Sequence, residues 1–159
     1  MFEVITMKKI IPISIICLLL DQISKLFIVN NLMLNESHSV INNFFNITLV
    51  YNDGAAWSIL SGNRLLLIFI SLIALVVIYS LFIKNKELGK FEIIIYGLLI
   101  GGIIGNLIDR VLYGYVIDFL DFKIFNYNYP VFNIADCCIV ISAILLIVDF
   151  VKEGITCKQ

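Results

Sequence analysis

Apolar residues fill long blocks of this chain, and the polar interruptions are few and short. Four blocks, roughly Ile10–Val29, Arg64–Ile83, Ile93–Leu112 and Phe132–Val151, each have about the 20 mostly apolar residues that a helix needs to cross a bilayer. Between the first two blocks the period changes. In "FNITLVYN", Phe45, Ile47, Leu49 and Tyr51 alternate with Asn46, Thr48, Val50 and Asn52. A period of two predicts a strand with one apolar side, and "NDG" at 52–54 predicts a turn after it. The stretch 113–131 is crowded with aromatics, among them Tyr113, Tyr115, Phe119, Phe122, Phe125, Tyr127 and Tyr129. Such rings favour the headgroup level of a membrane. Both inter-block stretches, roughly 30–63 and 113–131, are therefore expected to lie on the membrane surface. No repeat or linker divides the chain, so residues 1–159 are read as a single integral membrane domain.

Composition supports lipid as the solvent: the chain is 61% hydrophobic and 14% charged, with a mean hydropathy of +1.03. Soluble domains are about half apolar and about a quarter charged. The net charge of −1 and the lack of a basic stripe argue against a nucleic-acid partner. Lysine placement sets an orientation. Lys8 and Lys9 precede the first block, Lys84, Lys86 and Lys90 separate the second from the third, and Lys152 and Lys158 follow the fourth. Both termini are thus expected in the cytoplasm and the two surface stretches outside. The first block resembles a secretory signal, and "SIIC" at 14–17 faintly resembles a lipoprotein cleavage box. Ile16 is too bulky for that role, and Asp21 and Lys25 break the apolar core, so the block is read as a retained helix.

The polar residues inside the blocks fall at one depth. Gly97, Gly101 and Gly105 make a stripe of small residues suited to close helix contact. Gly102, Asn106 and Asp109 lie beside it, followed by Arg110. Asp21 and Lys25 are four apart with the acid first, the favourable order for a helical ion pair. Asn133 and Asp136 share a face at the start of the fourth block, where helix capping alone explains them. Yet Asn52, Asn106, Asp109, Asp118 and the outer end of the first block converge on the same level, which capping does not require. Ionisable groups near hydrocarbon are costly and mark function by default.

The chemistry available there is that of carboxylates. His38 is the only histidine and is read as a solvated loop residue. The cysteines at 17, 137, 138 and 157 have no metal-ligand spacing and are read as packing residues. Two neighbouring aspartates share a proton, one acting as base toward water and the other as acid toward a carbonyl. That arrangement needs neither metal nor cofactor. Asp118 is the natural partner of Asp136, with Asp121 as a rival. Asp136 occupies a helix's first turn and Asp118 an aromatic, partly desolvated loop, so the shared proton is expected on Asp118.

Five stretches in order, "DQISK" (21–25), "NDGAAW" (52–57), "GGIIGNLIDR" (101–110), "VIDF" (116–119) and "FNIAD" (132–136), resemble the motifs of the bacterial lipoprotein signal peptidases, or signal peptidases II. The resemblance covers nearly the whole chain. It implies four transmembrane helices with a small extracytoplasmic β-cradle and a short surface helix. It implies an aspartic endopeptidase of the cell membrane that removes signal peptides from lipid-modified prolipoproteins, cleaving before the lipid-bearing cysteine. By position Asp118 and Asp136 would be catalytic. Asp21, Lys25, Asn52, Gly54, Asn106, Arg110 and Asn133 would shape or line the site, with Asp109 in support. Globomycin-type inhibitors and membrane lipid are the other expected partners, and the chain is expected to act as a monomer. Two rivals remain on the residues alone. A proton or ion transporter would spread its acids across the membrane, whereas these gather in the outer half. A purely structural subunit gives no reason for acids flanking an aromatic outer loop.

Overall fold

The computed structural model describes residues 2–55, 59–125 and 127–156. Four helices are long and apolar enough to span a membrane: α1 (Phe2–Asn31), α2 (Arg64–Val77, continued by a π-helix over Ile78–Ile83), α3 (Lys90–Leu112) and α4 (Ile134–Thr156). Strands β1 (Ser37–Ile41), β2 (Phe45–Asn52), β3 (Val116–Ile124) and β4 (Tyr127–Asn128) form an antiparallel sheet in the order β1-β2-β3-β4. β2 has the bounds that its period of two predicts.

α3 is the centre of the bundle because its glycines let two neighbours approach. A Cβ on Gly97 would meet the Ile13 side chain at 2.6 Å, and one on Gly101 the Ser14 carbonyl at 2.8 Å, both on α1. A Cβ on Gly102 would lie 2.5 Å from the Ala135 carbonyl on α4. The expected small-residue stripe thus serves α1, and its flank serves α4. α2 buries little beyond Leu67 and turns most of its apolar surface outward, as a helix facing lipid does.

β3 departs from expectation: the aromatic stretch after α3 is a nine-residue strand. Its pattern is hidden because both of its faces are largely apolar. Ile117 and Phe119 point into a cluster with Ile28 and Leu49, under the sheet. Val116, Asp118, Phe122 and Ile124 line a cavity on the other side. α4 also begins two residues later than the apolar block does. Phe132 exchanges backbone hydrogen bonds with Leu120 (2.8 and 3.1 Å) and so is held by β3 outside the helix. The short surface helix that the resemblance implies is not among the described elements, and residues 56–58 of the loop from Asp53 to Asn63, Trp57 among them, lie outside the described set.

At the other end of the bundle, Ile10 of α1 packs with Ile78, Ile83, Leu88 and Ile93. The start of α1 and the α2–α3 connection therefore sit together, remote from the sheet. Lys152 Nζ lies 5.4 Å from the Phe91 ring, which brings the end of α4 to the same side.

Candidate active site

The site forms where the outer ends of α1, α3 and α4 meet the first residues of β3. Asn133 precedes α4 and caps it: its Oδ1 accepts from the Asp136 N–H (2.9 Å), and its own N–H donates to Asp136 Oδ2 (3.2 Å). This is a reciprocal capping box with Asp in the place usually taken by Glu or Gln. The same Asn133 side chain also donates through Nδ2 to Asp118 Oδ1 (2.7 Å) and to Asn106 Oδ1 (3.1 Å). Capping and site-building are therefore done by one residue, which joins both carboxylates.

Each aspartate has a second donor. Asn52 Nδ2 reaches Asp118 Oδ2 (3.0 Å), and Asn106 Nδ2 reaches Asp136 Oδ1 (2.7 Å). Asn106 has its amide orientation set by Lys25 Nζ, which donates to its oxygen at 3.2 Å. Asp118 is 2% exposed. Burial first, and the nearby Asp136 charge second, push its carboxyl up to about 7 from 3.8, against the opposing pull of the Asn52 and Asn133 amides.

Asp121 is on the other face of β3, as a side-chain period of two requires for residues three apart. It accepts from Thr48 Oγ1 (2.7 Å) and Asn46 Nδ2 (3.4 Å) of β2 and does not line the cavity. His38 is exposed in β1 and bonded to Glu36 at 3.0 Å, rather than lying in a loop.

Behind the aspartates lies a buried ion network larger than the expected Asp21–Lys25 pair. Lys25 Nζ contacts Asp21 Oδ2 (2.7 Å) and Asp109 Oδ2 (2.8 Å), all three side chains being almost wholly buried. Asp21 Oδ1 accepts the Ala135 N–H of α4 at 2.9 Å, and Asp109 Oδ2 accepts the Ile117 N–H of β3 at 3.1 Å. The network thus fixes the backbone beside each aspartate. Gln22 joins it, donating to Asp109 Oδ1 at 2.9 Å. Sequence reasoning passed over Gln22, although it stands inside the first quoted motif. It also passed over Arg64, whose Nε and Nη2 donate to the carbonyls of Arg110 and Val111 (2.7 and 2.8 Å) and so cap α3; nothing in its sequence context marks it.

The loop after β2 is held from two sides. Asn52 Oδ1 accepts the Gly54 N–H (3.0 Å), and Arg110 Nη2 donates to the Gly54 carbonyl (2.9 Å). Arg110 Nε is buried with no hydrogen-bond partner among the described residues. Asn52, Asn106, Arg110, Asp118 and Asp136 all border one cavity of about 1010 Å³, whose other walls are mostly apolar. Of the residues expected to form the site, these five stand in the cavity wall, Lys25, Gly54 and Asn133 are one hydrogen bond behind it, and Asp21 and Asp109 lie behind Lys25.

A carboxylate pair beside an apolar cavity, on a bundle of membrane-spanning helices, is the arrangement of a membrane-embedded peptidase of the aspartic class. Residues 13–152 match the model of the family described as signal peptidase (SPase) II. The lipoprotein signal peptidase of Staphylococcus aureus strain MRSA252 is 41% identical over 94% of this chain and 91% of its own length. That of strain JH9 is 40% identical over the same shares. A bacterial membrane enzyme solved by the in meso method at 2.3 Å superposes with a TM-score of 0.85 at 40% identity, covering 91% of this chain and 88% of the other. A second such structure, at 1.9 Å, gives 0.82 at 40% identity over 91% and 93%. The chain belongs to the signal peptidase II family, whose members are aspartic peptidases.

Proposed function

We propose that the chain removes signal peptides from lipid-modified prolipoproteins, with Asp118 and Asp136 as the catalytic pair. The observation that carries the reading is the bridge through Asn133, which holds both carboxylates at one cavity. Asp136 takes a proton from water as the oxygen attacks the scissile carbonyl. Asp118 gives its proton to the carbonyl oxygen. As the gem-diol adduct collapses, one of its hydroxyls returns a proton to Asp118, the C–N bond breaks, and the proton held by Asp136 passes to the leaving amine, the new N-terminus of the lipid-bearing cysteine. Arg110, Asn52 and the Gly54–Ala55 backbone offer polar contacts for an extended peptide, and the apolar walls suit the signal helix and acyl chains.

The same geometry supports a location for the site. Lys8, Lys9, Lys84, Lys86, Lys90 and Lys152 belong to the end of the bundle opposite the sheet. Both termini then face the cytoplasm, and the site lies at the outer face. Globomycin-type inhibitors would compete for the cavity. One chain supplies the whole arrangement, which supports a monomeric, single-domain enzyme. A transporter is disfavoured because the buried acids Asp21, Asp109 and Asp118 and the half-buried Asp136 form one cluster rather than a path.

The test uses enzyme in vesicles with a lipid-modified prolipoprotein. Asp118→Asn and Asp136→Asn each lower cleavage by at least ~10²-fold while the protein stays at normal level in the membrane. Asp121→Asn keeps most of the activity. An essential Asp121 with a dispensable Asp118 overturns the assignment.

A further inference from the structure

The end of the sheet remote from the aspartates is apolar and uncovered. The β1–β2 turn presents Val40, Ile41 and Phe44, exposed by 55%, 52% and 46%. Beside it, where Lys123 N–H donates to the Phe44 carbonyl at 2.8 Å, β3 ends at Ile124 and Phe125 follows in the turn. Phe125 is fully exposed, and its φ is +48°. A left-handed turn position favours glycine or asparagine, and a bulky ring there costs stability. The ring has no cover in return, so packing within the chain does not account for it. From Val40 to Phe45 and from Phe122 to Tyr129 the one charged residue is Lys123. A patch of this kind outside a packed core marks an interaction surface.

The occupant follows from where the rim sits. The cavity beside the aspartates is lined by Phe44 and Ile124 of the rim and also by Val140 and Ile141 of α4. Those two residues are half exposed within an apolar span. Ile141 lies roughly 10 Å along the helix from its start at Ile134, at 1.5 Å per residue. One cavity thus borders both the rim and a turn of α4 that faces hydrocarbon.

We propose that this rim is a bilayer-inserted lip. Phe44, Ile124 and Phe125 enter the leaflet beside α4, and membrane lipid covers the face they present. Aromatic rings settle at the junction of acyl chains and headgroups, and Lys123 reaches the phosphates from the same edge. The lip keeps the mouth of the cavity open to hydrocarbon. A lipid-bearing ligand can then reach the aspartates without leaving the bilayer. The insertion itself rests on the membrane spans and the exposed rim, not on the peptidase reading.

The test is photo-crosslinking of the full chain in vesicles of phosphatidylethanolamine and phosphatidylglycerol. A benzophenone side chain is placed at Phe125, at Phe44 or, for comparison, at His38, which is exposed on the polar part of β1. Adducts are identified by mass spectrometry. The lip predicts lipid adducts at the first two positions severalfold above those at the third. Adducts at Phe125 and Phe44 no more frequent than at His38 overturn the proposal. Chain-to-chain adducts in place of lipid adducts also overturn it, and assign the rim to a second copy.

Discussion

Asn133 shows why residue types alone left the site open. As an N-cap three residues before an aspartate it needs no other explanation, and the structure shows the cap in full. Its second hydrogen on Nδ2, directed at Asp118, is visible only once β3 is in place. On residue types Asp118 was favoured but Asp121 stayed a rival, for a related reason. The choice depends on which face of a strand each occupies, and the strand itself was not legible. The protonation of the pair does have a residue-scale consequence. Asp118 is held up to about 7 against an ordinary 3.8 by burial and the Asp136 charge. The native state therefore binds a proton between those values that the unfolded state has lost. Stability contributed by that proton is present at low pH and declines as pH rises through the window. Catalysis that needs the proton declines with it. A kcat/KM profile on lipid-modified substrate is expected to fall as pH passes about 7. An infrared band of protonated carboxyl at neutral pH is expected to survive in Asp136→Asn unless loss of that charge lets Asp118 ionise. A band lost in Asp136→Asn but kept in Asp118→Asn places the proton on Asp136 instead.

The helices were legible because an apolar block of this length leaves few alternatives, and β2 because one of its sides is polar. β3 was not, because core and cavity both demand apolar side chains from it. Contacts between elements were legible only in part. The Asp21–Lys25 spacing showed a pair, but Asp109 and the Ala135 N–H lie far away in sequence. The difference changes a prediction. An isolated pair tolerates joint replacement by apolar residues, whereas here that change leaves Asp109 without its cation and Ala135 N–H without its acceptor. Lys25→Met is expected to destabilise by ~3–5 kcal/mol, since it strands two buried carboxylates. Adding Asp109→Asn is expected to recover part of the loss, measured as protein level in the membrane and Tm in detergent. Gly101 tests the α1–α3 contact separately. A Cβ there would meet Ser14 backbone at 2.8 Å and Cys17 Cβ at 2.8 Å. Gly101→Ala is expected to cost ~1–3 kcal/mol, as overpacking does when the obstacle is backbone. An unchanged Tm would mean that α1 moves away freely.

At the scale of the whole molecule, two asymmetries point the same way. The sheet, the buried acids and the cavity are at one end, while the lysines that flank the spans gather at the other. A site that cleaves a lipid-bearing substrate must meet it at the boundary between hydrocarbon and water, and the cavity is lined both by the sheet and by an apolar turn of α4. Only orientation decides which side of the membrane is served. Lysine-rich ends stay in the cytoplasm as a rule, and the proposed orientation therefore puts the sheet outside. Two single cysteines test this. His38→Cys stands in the exposed strand β1, and Lys86→Cys in the α2–α3 connection. In intact cells a membrane-impermeant maleimide is expected to label the first above the background of the unaltered chain. The second is expected to react only after the cells are opened. Neither change touches the aspartates or their donors, so cleavage reports that both proteins are folded. The reverse pattern, with Lys86→Cys labelled in intact cells, would put the aspartates at the cytoplasmic face, and a peptidase acting on exported substrates would then be facing the wrong compartment.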